Sequence, residues 1–353
     1  MNNVLVLGGG AQGRVIAADL ARSLPASTVT VADLREPPLP ALPNLRWVEA
    51  DLGAPATVTR LLAAHDLGVG ALPSRLGFGV MRAAIEARRP LVDVSFCAEN
   101  PLKLDREARA AGIAILPDCG LAPGISNLIA GEAFARRGAP DELVIMVGGV
   151  AQDASRPYGY VVTWSIDDLH EEYVRPARIV SGGRPTTVPV FSGYERVVVD
   201  GVGEMEAFYS DGLRTLIDTL PGVREMGEKT LRWPGHAEAV RPLVAAGRLV
   251  EELRARCTED PARDLVVMRV RSRWNGRHET TTLVDRYHAP SGITAMSRTT
   301  ALTTSAVAQL VASGFAVEPG VKPLERVATD PRAYQFIRGA LEKRDVKLER
   351  SER

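Results

Sequence analysis

The sequence has few of the residues on which nucleic-acid stacking depends, and it has no excess of charge of either sign. Aromatic residues make up 5% of its 353 residues, which is too few for a platform on which successive bases stack. Lysine plus arginine number 43 and aspartate plus glutamate number 43, so no net positive field attracts phosphate backbones or an anionic membrane. We therefore expect a small-molecule partner, with no nucleic acid and no membrane.

Cysteine is scarce as well. Cys97, Cys119 and Cys257 are odd in number and widely spaced, with no C-x-x-C pair and no histidine cluster beside them, which argues against a disulfide framework and a structural zinc site. No metal is predicted. No apolar run approaches the length that spans a bilayer, and only residues 1–3 precede the first apolar run, without a basic leader. We therefore predict a cytoplasmic protein.

A glycine-rich turn between a strand and a helix is the strongest motif that the sequence does contain. The apolar run 4–7 leads into G-x-G-x-x-G at Gly8, Gly10 and Gly13, and apolar residues at helical spacing follow. In such a turn the first glycine allows the tight bend, the second lets the backbone approach a pyrophosphate, and the third lets helix and strand touch. The helix N-terminus then faces the phosphates.

An acidic residue at a suitable spacing adds a second signal. Residues 29–32 predict the next strand, which ends at Asp33. An acid there accepts hydrogen bonds from the ribose hydroxyls and repels a 2′-phosphate, so NAD is expected rather than NADP, although Arg35 keeps NADP open. The predicted cofactor-binding residues are Gly8, Gly10, Ala11, Gln12, Gly13, Asp33, Asp51, Leu52, Ala71, Leu72 and Pro73.

Strand and helix patterns alternate through the first third of the chain. Four more strands are predicted at 45–49, 67–72, 91–94 and 113–116, with helices between them. Six strands that alternate with helices make an α/β Rossmann fold, a doubly wound parallel sheet. We expect residues 1–120 to form this NAD-binding domain, with Asp51 at the adenine edge and 71–73 beside the nicotinamide half.

The pattern changes beyond residue 117, where the spacers between strands lengthen. Strands are predicted at 143–150, 196–199, 265–273 and 279–286, and a helix at 299–313. We expect an α+β substrate domain over residues 121–295, followed by C-terminal helices over 296–353 that return to the Rossmann domain. The tail from 342 to 353 mixes both charge signs, which predicts a solvated or frayed helix.

Several motifs together resemble one enzyme family. They are D-C-G-L-A-P-G at 118–124, T-W-S at 163–165, E-A-F at 206–208, L-R-W-P-G-H at 231–236 and R-T-T-A at 298–301. With the glycine turn and Asp93, they are similar to the saccharopine dehydrogenase-like reductases, especially lysine 6-dehydrogenase. The resemblance implies NAD-dependent oxidation of a C–N bond of an amino acid. In the lysine 6-dehydrogenase case, the ε-amine is deaminated to the 6-semialdehyde.

Such chemistry needs an acceptor for the amine proton and a cation for the α-carboxylate. Asp118, at the end of the sixth strand, and His236, after a Pro-Gly turn, are the predicted catalytic residues. The alternative for Asp118 is a structural cap on the Pro-Gly turn, and the alternative for His236 is a histidine packed in the core. The predicted substrate-binding residues are Asp93, Cys119, Tyr160, Trp164, Ser165, Arg214, Arg232 and Arg298, for which core packing and ion pairs are the alternatives.

Other functions stay open. The run S-D-G-L-R at 210–214 stands where the lysine-oxidising members of the family carry Ser-Gly-Gly, and its added Asp211 and Arg214 can bind a second carboxylate or amine. A saccharopine-type or carboxy-polyamine reductase is therefore an alternative, and a protein that binds NAD without turnover is another. A homodimer or higher homo-oligomer is expected for such a fold.

Overall fold

The computed structural model describes residues 1–257 and 260–353. Packing divides the chain into two compact units. Unit 1 consists of Met1–Ala135 and Thr299–Asp345, and unit 2 of Arg136–Arg298 and Val346–Arg353. The ranges 1–120, 121–295 and 296–353 expected from the sequence remain a prediction of domain organisation, and the boundaries of the packing units lie at other residues.

Strands and α-helices account for most of the described residues. The strands are β1 (Asn3–Leu7), β2 (Thr28–Asp33), β3 (Leu45–Glu49), β4 (Leu67–Gly70), β5 (Leu91–Asp93), β6 (Ala114–Leu116), β7 (Glu142–Ala151), β8 (Ala177–Ser181), β9 (Arg184–Val188), β10 (Glu195–Val199), β11 (Gly203–Tyr209), β12 (Glu225–Arg232), β13 (Asp264–Trp274), β14 (Arg277–Arg286), β15 (Gly320–Val321) and β16 (Glu349–Glu352). The α-helices are α1 (Ala11–Ser23), α2 (Pro55–Ala63), α3 (Ser74–Ala87), α4 (Asp105–Ala111), α5 (Ile125–Arg137), α6 (Ile166–Val174), α7 (Leu216–Thr219), α8 (His236–Ala245), α9 (Leu249–Arg256), α10 (Ala295–Ala312), α11 (Leu324–Val327) and α12 (Pro331–Glu342). No helix among the described residues combines the length and the apolar character needed to cross a bilayer.

Unit 1 is built on a parallel sheet with the spatial order β15-β6-β5-β4-β1-β2-β3. The chain runs outward from β1 to β3, returns to β4 beside β1, and continues the other way to β6, so the sheet is doubly wound. The carboxyl ends of β1 and β4 therefore form the switch point where ligands of open α/β sheets bind. The predicted Rossmann sheet is confirmed. The short β15, which the sequence did not predict, adds a seventh strand beside β6.

The C-terminal part of the chain is held in unit 1 by polar contacts to α1 as well as by β15. Asp19 of α1 accepts hydrogen bonds from Ser305 (2.6 Å) and Gln309 (3.1 Å) of α10. Its other carboxylate oxygen lies 2.7 Å from Nε of Arg344, beyond α12. One acidic side chain thus binds residues that are about 300 positions away in the sequence.

Unit 2 contains a mixed sheet of nine strands. Seven follow the order β10-β11-β12-β7-β13-β14-β16, while β8 pairs with β12 and β9 pairs with β8. The central β7 runs parallel to β12 and antiparallel to β13. The predicted second domain of α+β type is confirmed.

The prediction of a helical tail is wrong at its C-terminal end. Residues 349–352 form β16, which is antiparallel to β14. The backbone of the tail is paired by the edge of the sheet, and Glu352 forms an ion pair with Arg137 at 2.5 Å. Pairing with a sheet edge offers hydrogen bonds that a solvated helix end lacks.

Candidate functional site

The glycine turn lies between β1 and α1. Gly8 has a φ of +100°, and a Cβ at this position would lie 2.7 Å from the carbonyl oxygen of Ala71. A Cβ at Gly13 would overlap the carbonyl oxygen of Gly8. These two positions therefore need glycine for the turn to pack. At Gly10 a Cβ would meet nothing within 4 Å, so the space beside this residue is open to a ligand.

The N-terminus of α1 also suits an anion. Gly10 is the N-cap residue, no side chain caps the helix, and no acidic residue lies in its first turn. The first amides of a helix have no intrahelical acceptor, and phosphate oxygens bind there readily. Ala11 is exposed and Gln12 is half-buried. The residues present thus fit the pyrophosphate of a dinucleotide.

Asp33 ends β2 and turns towards the glycine turn. Its Oδ2 accepts a hydrogen bond from the amide of Gly9 at 2.6 Å, and its Oδ1 accepts one from the amide of Arg35 at 3.3 Å. The carboxylate is therefore held at the carboxyl end of β2, beside the turn, where a ribose would be bound.

The other predicted cofactor residues follow β3 and β4, at the same edge of the sheet, because these strands run parallel to β1 and β2. Asp51 is exposed and accepts a hydrogen bond from the amide of Gly53 at 2.9 Å. Leu52 is buried in the core of unit 1. Of the three residues 71–73, the first two are half-buried and Pro73 is the N-cap residue of α3.

Asp93 ends β5 at this edge and is completely buried. Its Oδ1 accepts hydrogen bonds from the amide of Ser95, at 2.8 Å, and from the Ser95 hydroxyl. Its Oδ2 has no hydrogen-bond partner among residues 1–257 and 260–353. Burial raises the pKa of Asp93 to about 7, although the Ser95 hydrogen bonds act in the opposite direction, and the Asp118 carboxylate adds to the rise.

Asp118 and Cys119 follow β6, next to β5. The amide of Cys119 donates to the carbonyl of Asp93 at 2.9 Å. Asp118 is buried and has a φ of +56°, a conformation that costs about 1–3 kcal/mol and is concentrated at functional sites. Burial, with the carboxylates of Asp118 and Asp93, raises the pKa of Cys119 well above its ordinary value. Cys119 is thus a buried neutral thiol, which donates to the carbonyl of Leu116 at 3.2 Å.

Unit 2 contains its own buried polar cluster, which begins with a chain of three hydrogen bonds. Nε of Arg232 donates to the hydroxyl of Tyr173 at 2.7 Å, and that hydroxyl lies 2.8 Å from Nε2 of His236. Nδ1 of His236 lies 2.7 Å from the carbonyl oxygen of Tyr158. Since a carbonyl only accepts, Nδ1 carries the proton and Nε2 accepts from Tyr173.

The electrostatics of this chain keep His236 neutral. Burial first, and then the charge of Arg232, lower the pKa of His236 to about 3. Both ring nitrogens are engaged inside unit 2, so the arrangement favours a positioning role over the predicted proton shuttle. The catalytic assignment of His236 stays a prediction.

Two predicted carboxylate-binding arginines have partners inside unit 2. Arg232 donates from Nη1 to the carbonyl of Leu231 at 2.9 Å, and its Nη2 lies 3.7 Å from Oε2 of Glu172. Arg298 forms a buried ion pair with Asp285 at 2.9 Å. Their role in substrate binding stays a prediction. Both side chains already form hydrogen bonds or ion pairs within unit 2.

Three other predicted substrate residues lie near α6. Ser165 is exposed and caps this helix by accepting a hydrogen bond from the amide of Asp168 at 3.2 Å. Trp164 packs on the same apolar cluster as Tyr160. Tyr160 is buried, burial raises its pKa, and its hydroxyl has no partner among the described residues. A buried hydroxyl group without a hydrogen-bond partner is a candidate for contact with a ligand.

Arg214 and the buried acids around it complete the cluster. Arg214 is buried and has a φ of +50°, and Asp211 receives hydrogen bonds from Nε and Nη2 of Arg178 at 2.9 and 3.3 Å. Glu228 on β12 is 5% exposed, and its Oε2 has no partner among the described residues. Burial raises the pKa of Glu228 well above its ordinary value; Glu172 and Asp211 add to this, and Arg214 opposes it.

Sequence reasoning missed Glu228 and the structural role of Glu206. Glu206 accepts hydrogen bonds from the amides of Gly235 (2.8 Å) and Ala237 (2.6 Å), so it caps the start of α8. The period-2 pattern of β12 contained a usable signal, since Glu228, Thr230 and Arg232 alternate with residues on the other face. Their burial, however, depends on elements elsewhere in the chain.

These features identify the class of protein. An open glycine turn at the switch point of a doubly wound parallel sheet is the arrangement of Rossmann-type dinucleotide-binding proteins. Residues 4–116 match the family described as saccharopine dehydrogenase NADP binding domain, and residues 120–346 match saccharopine dehydrogenase C-terminal domain. The chain belongs to the saccharopine dehydrogenase family.

Named relatives agree with this assignment. The chain is 24% identical over 226 residues to a saccharopine dehydrogenase (NADP(+), L-glutamate-forming) of Pyricularia oryzae, covering 58% of this chain and 48% of the relative. It is 24% identical over 273 residues to the enzyme of the same name from Saccharomyces cerevisiae, covering 71% and 59%. The chain thus matches about half the length of these relatives.

A solved structure shows the same fold. The apo histidine-tagged saccharopine dehydrogenase (L-Glu forming) from Saccharomyces cerevisiae superposes with a TM-score of 0.78 at 19% identity, over 100% of both chains. The family expected from the motifs is confirmed. The finer expectation is not supported, since these relatives are named saccharopine dehydrogenases and not lysine dehydrogenases. Their names specify NADP(+), so the cofactor class is NAD(P) and the expected preference for NAD is unconfirmed.

Proposed function

We propose that the chain is an NAD(P)-dependent oxidoreductase acting on a C–N bond of an amino-acid substrate of the saccharopine type. The observation that carries the proposal is Asp93, a buried carboxyl group with one unpartnered oxygen among the described residues. It lies at the same sheet edge as the open glycine turn, where α/β folds bind ligands. Family membership and the names of the relatives support the choice of a C–N bond.

The turn at 8–13 would hold the pyrophosphate, and Asp33 would hold the adenosine ribose. When bound, the nicotinamide supplies the hydride acceptor or donor for the carbon of the C–N bond. We propose NAD as the first choice because the Asp33 carboxylate repels a 2′-phosphate. Arg35 is exposed and is the residue through which NADP would be accepted.

A proton must leave the amine nitrogen when hydride leaves the adjacent carbon, so the site needs a base. Asp93, with its pKa raised to about 7, can take up that proton near neutral pH and return it in the reverse direction. Asp118 contributes by its charge, which helps to keep the pKa of Asp93 high. Asp118, the base predicted from the sequence, remains the second candidate for this role.

A turnover assay tests the proposal. In the oxidative direction the chain is incubated with saccharopine and NAD⁺ or NADP⁺. In the reductive direction it is incubated with the reduced cofactor, L-glutamate and the 6-semialdehyde that deamination of the lysine ε-amine gives. The absorbance of the reduced nicotinamide is followed in both. Asp93→Asn is expected to lower turnover on the order of 10²- to 10⁴-fold and to leave cofactor affinity unchanged. Glu99→Gln, an exposed acid in the loop after β5, is the matched control.

Oxidative deamination of lysine is the second candidate, favoured by the motifs that resemble lysine 6-dehydrogenase. Lysine as sole amine in the same assay tests it, and a carboxy-polyamine would test the related reductase. Turnover of lysine and not of saccharopine would replace the proposed substrate. Tight cofactor binding with no hydride transfer to or from any of these compounds would make the chain a cofactor-binding protein without turnover.

A further inference from the structure

Asp93 and Ser95 form a buried hydrogen-bonded pair at the end of β5. Both donors of Ser95, its amide at 2.8 Å and its hydroxyl group, bind the same oxygen of Asp93, Oδ1. The backbone of Asp93 is held as well, since its carbonyl accepts from the amide of Cys119 at 2.9 Å. One carboxylate oxygen is therefore engaged twice, while the other, Oδ2, has no hydrogen-bond partner among residues 1–257 and 260–353.

A glycine on the neighbouring strand leaves room for Oδ2. Gly70 ends β4 and lies directly opposite Asp93 in the parallel pairing of β4 with β5. A Cβ at Gly70 would overlap Oδ2, so this oxygen occupies the place of the missing side chain. Gly70 also pairs with Leu7, the last residue of β1 before the glycine turn. Oδ2 thus lies on the side of Asp93 that faces the strands of the switch point.

A second glycine leaves room for the hydroxyl group of Ser95. Gly77 lies inside α3, where glycine is a poor helix former. A Cβ at Gly77 would overlap Oγ of Ser95, so the helix backbone packs directly on the hydroxyl group. Each member of the pair is therefore held against a residue that has no side chain, which fixes the position of both.

The groups around the pair act on Asp93 in opposite directions. Burial raises the pKa of Asp93 to about 7, the hydroxyl group and the amide of Ser95 act against the rise, and the carboxylate of Asp118 adds to it. Cys119, which follows Asp118, is a neutral thiol because burial raises its pKa. Of these neighbours, Ser95 is the one that favours the ionised form of Asp93.

We infer that Ser95 is a positioning residue, which holds Oδ1 of Asp93 and thereby reserves Oδ2 as the oxygen that takes up the proton. The use of that proton in amine oxidation rests on the proposed function. The inference adds which atom of Asp93 acts and which neighbour orients it. Without the two bonds to Ser95 the carboxylate could rotate and present either oxygen, and a base transfers protons efficiently only in a fixed orientation.

The pH profile of kcat/KM for amine oxidation tests this role. Ser95→Ala removes the hydroxyl donor, and a hydrogen bond to the ionised form lowers the pKa of a carboxyl group. The midpoint of the profile is therefore expected to rise by about one to two pH units. At pH 7 we expect kcat/KM to fall roughly 10- to 100-fold, and part of this loss should return above the new midpoint. The cofactor Kd should stay unchanged.

Ser27→Ala is the matched control. Ser27 precedes β2, at the opposite edge of the same sheet, and its buried hydroxyl group donates to the carbonyl of Met1 at 2.9 Å. The control thus loses a buried donor of the same kind, and its midpoint should stay at the wild-type pH. If Ser95 had only a structural role, both variants would lose stability and neither would shift the midpoint.

Two glycine variants test which oxygen acts. Gly70→Ala places a methyl group onto Oδ2 of Asp93, whereas Gly68→Ala, on the same strand, places it against the side chain of Leu62. Turnover is expected to be at least about 10-fold lower in Gly70→Ala than in Gly68→Ala at every pH. Thermal unfolding of both variants measures the cost of the added methyl group to packing.

Direct titration of Asp93 gives a readout that needs no substrate. The side-chain carboxyl carbons are followed by NMR in the full chain labelled with carbon-13 aspartate. The signal of Asp93 is the one that Asp93→Asn removes. Ser95→Ala should raise the pKa that this signal reports, and Ser27→Ala should leave it at the wild-type value.

Each outcome bears on the inference. If Ser95→Ala does not fold, Gly77→Ala, which displaces the hydroxyl group, must show the raised pKa. The inference is overturned if Asp93 titrates in Ser95→Ala as in the wild type, if Ser27→Ala shows the same rise, or if Gly70→Ala turns over as fast as Gly68→Ala. A raised pKa in Ser95→Ala, with no hydride transfer by the wild type, would uphold the role of Ser95 and remove the proposed oxidoreductase function. Turnover with an unshifted titration would do the reverse.

Discussion

The carboxylate of Asp33 accepts a hydrogen bond from the amide of Gly9 over 2.6 Å. This bond joins the end of β2 to the turn after β1. The acid expected to hold the ribose therefore also fixes the shape of the loop expected to hold the pyrophosphate. Cofactor affinity and turn conformation are coupled through this side chain.

Replacing Asp33 should separate these two contributions. Asp33→Ala is expected to weaken NAD binding by on the order of 1–3 kcal/mol, because hydrogen bonds to a charged acceptor are lost. Asp33→Asn keeps an acceptor for the amide of Gly9. Its main effect should be to reduce the difference in binding affinity between NAD and NADP. Titration of both dinucleotides measures this. Unchanged NAD affinity in Asp33→Ala would show that the carboxylate does not reach the ribose.

Two glycine substitutions in one turn should have different effects. Gly13→Ala places a methyl group onto the carbonyl oxygen of Gly8, so we expect a loss of stability of about 1–3 kcal/mol and poor cofactor binding. Gly10→Ala meets no neighbouring atom and should unfold like the wild type while binding the cofactor more weakly. Thermal unfolding and cofactor titration test the pair. Full cofactor affinity in Gly10→Ala would place the pyrophosphate elsewhere.

Asp93 should make both stability and turnover depend on pH. Its pKa is raised from 3.8 to about 7 in the folded chain, so the protonated form favours folding and that contribution is lost as pH rises from about 4 to 7. Above pH 7, Asp93→Asn should therefore be more stable than the wild type by on the order of a few kcal/mol. Unfolding across pH measures this, and equal pH slopes in the two proteins would contradict it.

The same titration predicts the direction of the activity change. A base must be ionised to accept a proton, so the oxidation rate is expected to rise through pH of about 7. The pH profile of kcat/KM measures the midpoint. A flat profile across this range would remove Asp93 from the proton transfer.

His236 should affect turnover without titrating. Because its pKa is about 3, His236→Ala is expected to lower amine oxidation roughly 10- to 100-fold by releasing Tyr173, to keep cofactor binding, and to leave the midpoint of the pH profile unchanged. Tyr173→Phe should have a similar effect. His288→Ala, in the loop after β14, is the control. A shifted midpoint in His236→Ala would restore the proton-shuttle interpretation, and normal turnover would remove His236 from the site.

The buried ion pair of Arg298 and Asp285, at 2.9 Å, is expected to stabilise the folded chain. Arg298→Ala leaves a buried carboxylate without its counter-charge, so unfolding free energy is expected to fall by about 3–5 kcal/mol. The double variant Arg298→Met, Asp285→Leu should recover much of this loss. Denaturant unfolding measures both. Unchanged stability with weaker substrate binding would instead assign Arg298 to the substrate.

Unit 1 was largely predictable from the sequence because its signals are local. Each strand of a parallel sheet covered on both faces is a short apolar run, and every residue of β4 and β5 is buried. The helices between these strands show the 3.6-residue period of apolar residues that is typical of a helix. Asp33 was predicted from two local signals, the end of the strand pattern at 29–32 and the spacing that the dinucleotide motif sets from Gly13. β15, only two residues long, has no local signal.

The sequence by itself determined the glycine turn, the acid that follows it and the doubly wound order, since strand period, helix period and turn chemistry act over a few residues. Only the tertiary structure decided which polar groups are buried and with whom. The pairing of β12 with β7 joins segments about 80 residues apart. Gly212 packs against the carboxylate of Glu228, and Oε2 of Glu228 has no partner among the described residues. Neither the neutral state of His236 nor the raised pKa of Asp93 can be read from neighbouring residues, because desolvation depends on everything packed around a group.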